Sequence, residues 1–231
     1  MYNTLYILNK DNYYWTSIGN DSEYSKKYRL SLTDRYGLGS DWVEIGMIPT
    51  NSEAEAKELQ LKINTVFKPF IIVNLAIYIT MNQELFLYCL RKIKNSDNNS
   101  MLTILDTITK EYDYNKKYGD VYFVECKNDK YKIGCTTDFA RRWNSLKNEE
   151  QNQAIYMIDI FKSNDIYLDE ARLQCACYDY KVNSNKEMKY IQEIGNSELY
   201  KKCVEVERIW KDYKDNPLLD SHDRLSLSKR N

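Results

Sequence analysis

Histidine is almost missing from this chain of 231 residues: His222 is the only one, in a polar stretch near the end. A histidine-rich metal centre is therefore excluded, and a lone histidine in a polar tail reads as a surface residue rather than as half of a catalytic dyad. Net charge is close to nil as well, at −1. No global field draws the chain to nucleic acid, so any such contact must come from a local basic patch. Long apolar runs are also lacking. The longest, from Phe70 to Thr80, is interrupted by Asn74 and falls well short of the roughly 20 residues a membrane span needs. There is no charged-then-apolar leader, and the only close pair among six cysteines, Cys175 and Cys177, has no histidine beside it. The expectation is an intracellular protein with no membrane contact, its thiols buried rather than bound to zinc. Seven glycines and three prolines beside many Asn, Lys, Ile and Tyr point to an AT-rich genome, such as that of a phage or large virus.

What the chain does have is internal repetition. Leu5-Tyr6-Ile7 matches Val121-Tyr122-Phe123 and Ile18-Gly19 matches Ile133-Gly134, 116 and 115 positions apart. Leu59-Gln60 matches Leu173-Gln174, and Asn82 to Cys89 matches Asn196 to Cys203, both at 114. So long a period indicates a duplicated domain rather than a solenoid. Each copy reads as a hairpin, a helix, a third strand and two more helices. The second helices are expected after Thr50-Asn51-Ser52 and after Ser163-Asn164, which offer N-cap chemistry. The fold class expected is α+β: two tandem domains, 1–94 and 117–213, each a small, mainly antiparallel, three-stranded sheet flanked by helices. A linker with a short amphipathic helix fills 95–116, and a polar tail runs over 214–231.

The most informative stretch is Asp120 to Leu146, which reads strand, turn at Asn128-Asp129, strand, loop, helix. On its helix Phe139, Trp143 and Leu146 make one apolar stripe. Arg141 points away from that stripe and Arg142 lies at its edge. A hairpin with two short tripeptides followed by an arginine-bearing helix resembles the opening of the GIY-YIG nuclease superfamily. It resembles most closely the phage and large-virus branch, described as a DNA-binding domain. Val121-Tyr122 stands for the first tripeptide, Lys132-Ile133-Gly134 for the second, and Arg142 for the family's arginine. Glu170, on a later helix, fits the pattern of its metal-binding glutamate. The resemblance covers about 119–213.

On the residues alone the bland readings compete. Tyr122 is a strand tyrosine among 21 tyrosines, and Arg142 could be a solvated arginine beside Trp143. Glu170, though, shares a helical face with Leu173, Cys177 and Tyr180, where the first copy has Ala56, Leu59, Ile63 and Val66. A carboxylate there needs a partner, a metal or water. Lys27 stands where the second copy has Arg142. The resemblance implies a metal-dependent DNA endonuclease using Mg²⁺ or Mn²⁺ held by Glu170. Arg142 would act on the phosphoryl group, and Tyr122 and Lys132 on the attacking water. Lys132 replaces the family's second tyrosine, although Tyr131 precedes it, and Leu146 replaces a polar residue. Asn196 is a further polar candidate. Lys130, Arg141, Lys147 and Lys181 are candidate DNA contacts. The alternatives are a non-catalytic DNA-binding module, or a protein-interaction scaffold on the same fold.

Overall fold

The computed structural model describes residues 3–11, 13–20, 22, 30–31, 41–72, 78–79, 81–127, 130–149, 154–182 and 190–192. Two α+β units follow one another, Met1–Tyr114 and Asn115–Asn231. The first contains β1 (Thr4–Lys10), β2 (Tyr13–Gly19), β3 (Val43–Pro49), α1 (Glu53–Val66), β4 (Tyr78–Ile79), α2 (Gln83–Lys94) and α3 (Asn98–Glu111). Its sheet has the order β3-β1-β2-β4. The second contains β5 (Gly119–Cys126), β6 (Lys130–Thr136), α4 (Phe139–Lys147), β7 (Ala154–Ser163), α5 (Ile166–Ala176), β8 (Lys181–Val182) and β9 (Tyr190–Gln192). Its order is β7-β5-β6-β9-β8, and every pairing in both sheets is antiparallel. The expected three strands are thus adjacent in each sheet, with β3 and β7 at an edge and the added strands beyond β2 and β6. The added strands are two or three residues long, too short to show a period of two in sequence.

In the first unit, α1 starts at Ser52, whose side chain accepts from the Glu55 amide while Glu55 accepts from the Asn51 amide. The Ser52 cap satisfies one amide that the first turn leaves open, and Glu55 ties down the residue before the cap. The helix buries Ala56, Leu59, Ile63 and Val66. Helix α2 buries Phe86, Cys89, Leu90 and Ile93. Phe86 stacks on Tyr14 of β2 at 4.2 Å between ring centroids, and the Tyr14 hydroxyl donates to the Met81 carbonyl at 2.9 Å.

Two expectations change here. Residues 95–116 are not a linker. Asp97 caps α3, and Met101, Leu105 and Ile108 are buried at i, i+4, i+7 as α3 packs on α1 and α2. Of the polar run Asn95–Ser100 that suggested a linker, 95–97 make a tight helix-to-helix connection, in which Ser96 donates to the Ile93 carbonyl, and 98–100 are the first turn of α3. Helix α5 begins after Asp165, whose side chain accepts from the Leu168 amide, and not directly after Ser163-Asn164. It ends at Ala176, so the stripe of Glu170, Leu173 and Cys177 does not continue as helix to Tyr180.

The registers correct the landmarks of the duplication. The β1–β3 ladder slips between Ile7 and Leu8, and the β5–β7 ladder between Phe123 and Val124. Tyr6 and Tyr122 are therefore equivalent positions. Across the hairpins, however, Tyr6 faces Ser17 while Tyr122 faces Gly134. Ile18-Gly19 is not the counterpart of Ile133-Gly134. The second hairpin closes Cys126 onto Lys130 where the first closes Lys10 onto Tyr13, one residue fewer. Helix α1 has 14 residues and α5 has 11, so no constant offset joins them. Counted from the N-caps, Lys57 matches Glu170; counted back from the C-caps, Gln60 does. Ala56 does neither, but no carboxylate lies on the buried face of α1. The first helix of the first copy with Lys27, the third helix of the second copy with Asn196, and the tail lie outside the described residues.

Because α3 completes the first unit's core, Leu105→Ala should destabilise that unit by roughly 2–5 kcal/mol. Residues 1–94 expressed alone should unfold at lower denaturant than residues 1–114. Equal midpoints for the two fragments would return α3 to the role of a linker.

Candidate active site

Strand β5 is central and buried on both faces. Residues directly opposite in an antiparallel ladder share a face. The pairs Tyr122–Gly134 and Val124–Lys132 therefore lie together, and Phe123, Tyr131 and Ile133 lie on the other side. Tyr131 stacks on Phe123 at 5.7 Å and is core. On the Tyr122 face, Tyr122, Val124, Cys126, Leu146, Ala154 and Ile160 form a cluster against which Phe139 and Trp143 pack. The apolar stripe of α4 thus fixes its rotation. Asp138 accepts from the Arg141 amide and starts the helix. Leu146 is fully buried, so the polar residue the resemblance called for is here a packing residue.

That rotation separates the two arginines. The Arg141 side chain is 86% exposed, at 4.0 Å from its own cap Asp138. Arg142 is turned inward, where its Nε donates to the Tyr122 hydroxyl at 3.1 Å. The Tyr122 ring lies across Gly134 so closely that any Cβ there would fall inside the phenol. Burial, aided by the charge of Glu170 and opposed by Arg142, pushes the Tyr122 phenol up to about 12. It stays protonated at neutral pH and is a donor, not a base.

Lys132 is 3% exposed. Burial first, and Arg142 second, push its ammonium down to about 8, with Glu149 opposing. Glu149 belongs to no motif of the sequence. The structure places its Oε1 at 3.5 Å from Lys132 Nζ and 3.6 Å from Arg142 Nη1. The available signal was its position immediately after the helix that carries Arg142.

Glu170 is 4% exposed on α5, and Gln174, one turn on, donates to its Oε1 at 2.5 Å. Next to it in sequence, Asp169 accepts from the Ser163 hydroxyl at 2.5 Å and lies 3.7 Å from Arg172. Burial pushes Asp169 up to about 6 against both partners. Among the described residues no group of three or more His, Cys, Asp or Glu is placed to hold a metal. Cys175 and Cys177 are both buried. Glu170 alone, a buried carboxylate beside an amide, suits Mg²⁺, which keeps water and phosphate ligands and binds through one or two carboxylates.

Tyr122, Lys132 and Arg142 are thus brought together with Glu149, and Glu170 is near enough for its charge to act on Tyr122. Of the expected DNA contacts, Arg141 and Lys147 are exposed, Lys147 standing 5.8 Å from the Trp143 ring. Lys130 and Lys181 lie in β6 and β8, with side chains outside the described residues. In the first unit the register puts Trp15 where Lys132 stands, opposite Leu8. Trp15 packs edge-on against Trp42 at 6.4 Å, with Leu30 beside them.

Two outcomes follow. Gly134→Ala must displace the Tyr122 ring; it should cost about 1–3 kcal/mol and be relieved in a Gly134→Ala, Tyr122→Phe background only in part, since the ring remains. Denaturant titration measures both. The second concerns pH. With Lys132 at about 8 folded and 10.5 unfolded, the unfolded chain holds the extra proton between these values. Its penalty is full below pH 8 and fades as pH rises. Relative to Lys132→Met, the native chain should gain stability from pH 8 to 10, by at most roughly 1.4 kcal/mol per pH unit. A flat difference would mean that Lys132 is solvated.

Residues 118–214 match the family model of the T5orf172 domain, a different family from the GIY-YIG nucleases that the motifs resemble. The match takes in the described site and none of the first unit. No curated protein and no solved structure matches the chain.

Proposed function

We propose that the second unit is a metal-dependent DNA endonuclease of the GIY-YIG type, hydrolysing phosphodiester bonds. The observation that carries this reading is the bond from Arg142 Nε to the Tyr122 hydroxyl, which ties the helix arginine to the hairpin beside a buried lysine. Arg142 binds the scissile phosphate and meets the charge that grows on it. Its guanidinium is planar and fixed, so it contributes most when that charge is largest. The Tyr122 hydroxyl, protonated, orients the attacking water. Lys132, with its ammonium near 8, is partly neutral at physiological pH and takes the water's proton as oxygen attacks phosphorus. The phosphorus–oxygen bond to the departing nucleoside breaks, and solvent protonates the alkoxide. Mg²⁺ or Mn²⁺ at Glu170 would supply Lewis-acid stabilisation of phosphate and leaving-oxygen charge. Gln174 holds the Glu170 carboxylate for that purpose.

A second reading, a DNA-binding module without catalysis, is favoured by the single carboxylate at the metal position and by a Tyr122 that cannot serve as base. One experiment separates them. Supercoiled plasmid with Mg²⁺ or Mn²⁺ should be nicked and EDTA should stop it. Glu170→Ala and Arg142→Ala should each lower the rate roughly 100–1000-fold, with duplex binding in EDTA largely kept in Glu170→Ala. Salt-sensitive binding without nicking supports the module. Neither binding nor nicking would point to a protein-interaction scaffold.

A further inference from the structure

Glu149 has no part in the reaction just described, yet it sits at the centre of the site. A single oxygen, Oε1, is shared between Lys132 Nζ at 3.5 Å and Arg142 Nη1 at 3.6 Å. The three side chains are 19%, 4% and 29% exposed. An oxyanion held between an ammonium and a guanidinium is the arrangement that a phosphate oxygen would adopt there. Two cations so sheltered also need a counter-charge, because each weakens the other's ionised form. Arg142 is one of the two causes that lower the Lys132 ammonium. Glu149 is delivered by local geometry. It follows Asn148, the C-cap of α4, whose amide bonds to the Leu146 and Ser145 carbonyls, and its own amide bonds to the Leu146 carbonyl at 3.4 Å. Its attachment is thus to the end of the arginine's own helix. A side chain hung there can leave the cations without disturbing the buried stripe of α4.

We propose that the Glu149 carboxylate occupies the phosphate position of this site in the absence of nucleic acid, and that an incoming phosphodiester displaces it. The proposal rests on the reading that Arg142 receives the scissile phosphate, and adds that Lys132, while protonated, shares that phosphate's charge before it takes the water's proton. An internal anion of this kind raises the threshold for entry. A lone small anion must compete with a carboxylate at high local concentration, whereas a duplex brings further backbone contacts that offset the exchange. It makes the site select for polyanions.

The test uses the full chain carrying Glu149→Gln, which keeps shape and removes charge, in EDTA so that nothing is cut. Inorganic phosphate binding is read from the shift in thermal midpoint, and binding of a short DNA duplex from fluorescence anisotropy at several salt concentrations. Glu149→Gln should bind both more tightly, by about tenfold in low salt, within the range that single charge pairs control. Adding Lys132→Met should remove most of the gain. Unchanged or weaker binding of both ligands in Glu149→Gln and in Glu149→Ala overturns the proposal, whatever happens to the midpoint of the ligand-free protein. A gain for phosphate alone keeps Glu149 as the internal anion and removes DNA as the polymer. Loss of the nuclease reading shows separately, as absence of nicking with Mg²⁺ in a chain whose phosphate gain persists.

Discussion

The phenol of Tyr122 lying across the bare α-carbon of Gly134 is the contact on which the second unit's site depends. With a Cβ at residue 134 the Tyr122 ring could not keep its place, because that atom would fall on the phenol. Flattened over glycine, it stays in the core while its hydroxyl meets the helix above. Arg142 can then bond to the hydroxyl from α4. The stripe of Phe139, Trp143 and Leu146 holds α4 in the one rotation that permits this. A missing side chain on a strand and a filled face on a helix thus act on the same atom.

Charge balance then follows from burial. Lys132 and Arg142 on one side, and Glu149 and Glu170 on the other, are half-buried or deeper against an apolar cluster. Burial moves the groups in opposite senses, raising the phenol and lowering the ammonium. Two groups with nearly the same ordinary value, 10.0 and 10.5, are driven apart, the phenol to about 12 and the ammonium to about 8. This is the separation that acid–base chemistry on a water molecule calls for.

Much of this was legible in sequence because it rests on periodicity. The 3.6-residue stripe of α4 separated Arg142 from Arg141, and the structure holds one inward and leaves the other exposed. The α+β class and the three longer strands of each sheet followed from alternation and turn residues. What was not legible depends on register and on three dimensions. A hairpin one residue longer shifted the pairing of Ile18-Gly19, which identity of letters could not reveal. Leu102, Leu105 and Ile108 were visible as a stripe, but only the packing of α3 on α1 and α2 shows that Met101, not Leu102, joins Leu105 and Ile108 in closing a core. Glu149 carried no motif, and its role comes from where a helix ends.

The Trp15 position carries a consequence for the history open to this chain. With an indole at the place of Lys132, wedged against Leu8 and Trp42, the first unit has turned that spot into load-carrying apolar mass. Putting a lysine there would remove a large ring and strand an ammonium in its void, at a cost of several kcal/mol. That is a large share of what a domain of this size has to spare. The two halves are consequently not interchangeable by small steps. A lysine at that place is open to the second half and closed to the first by packing alone.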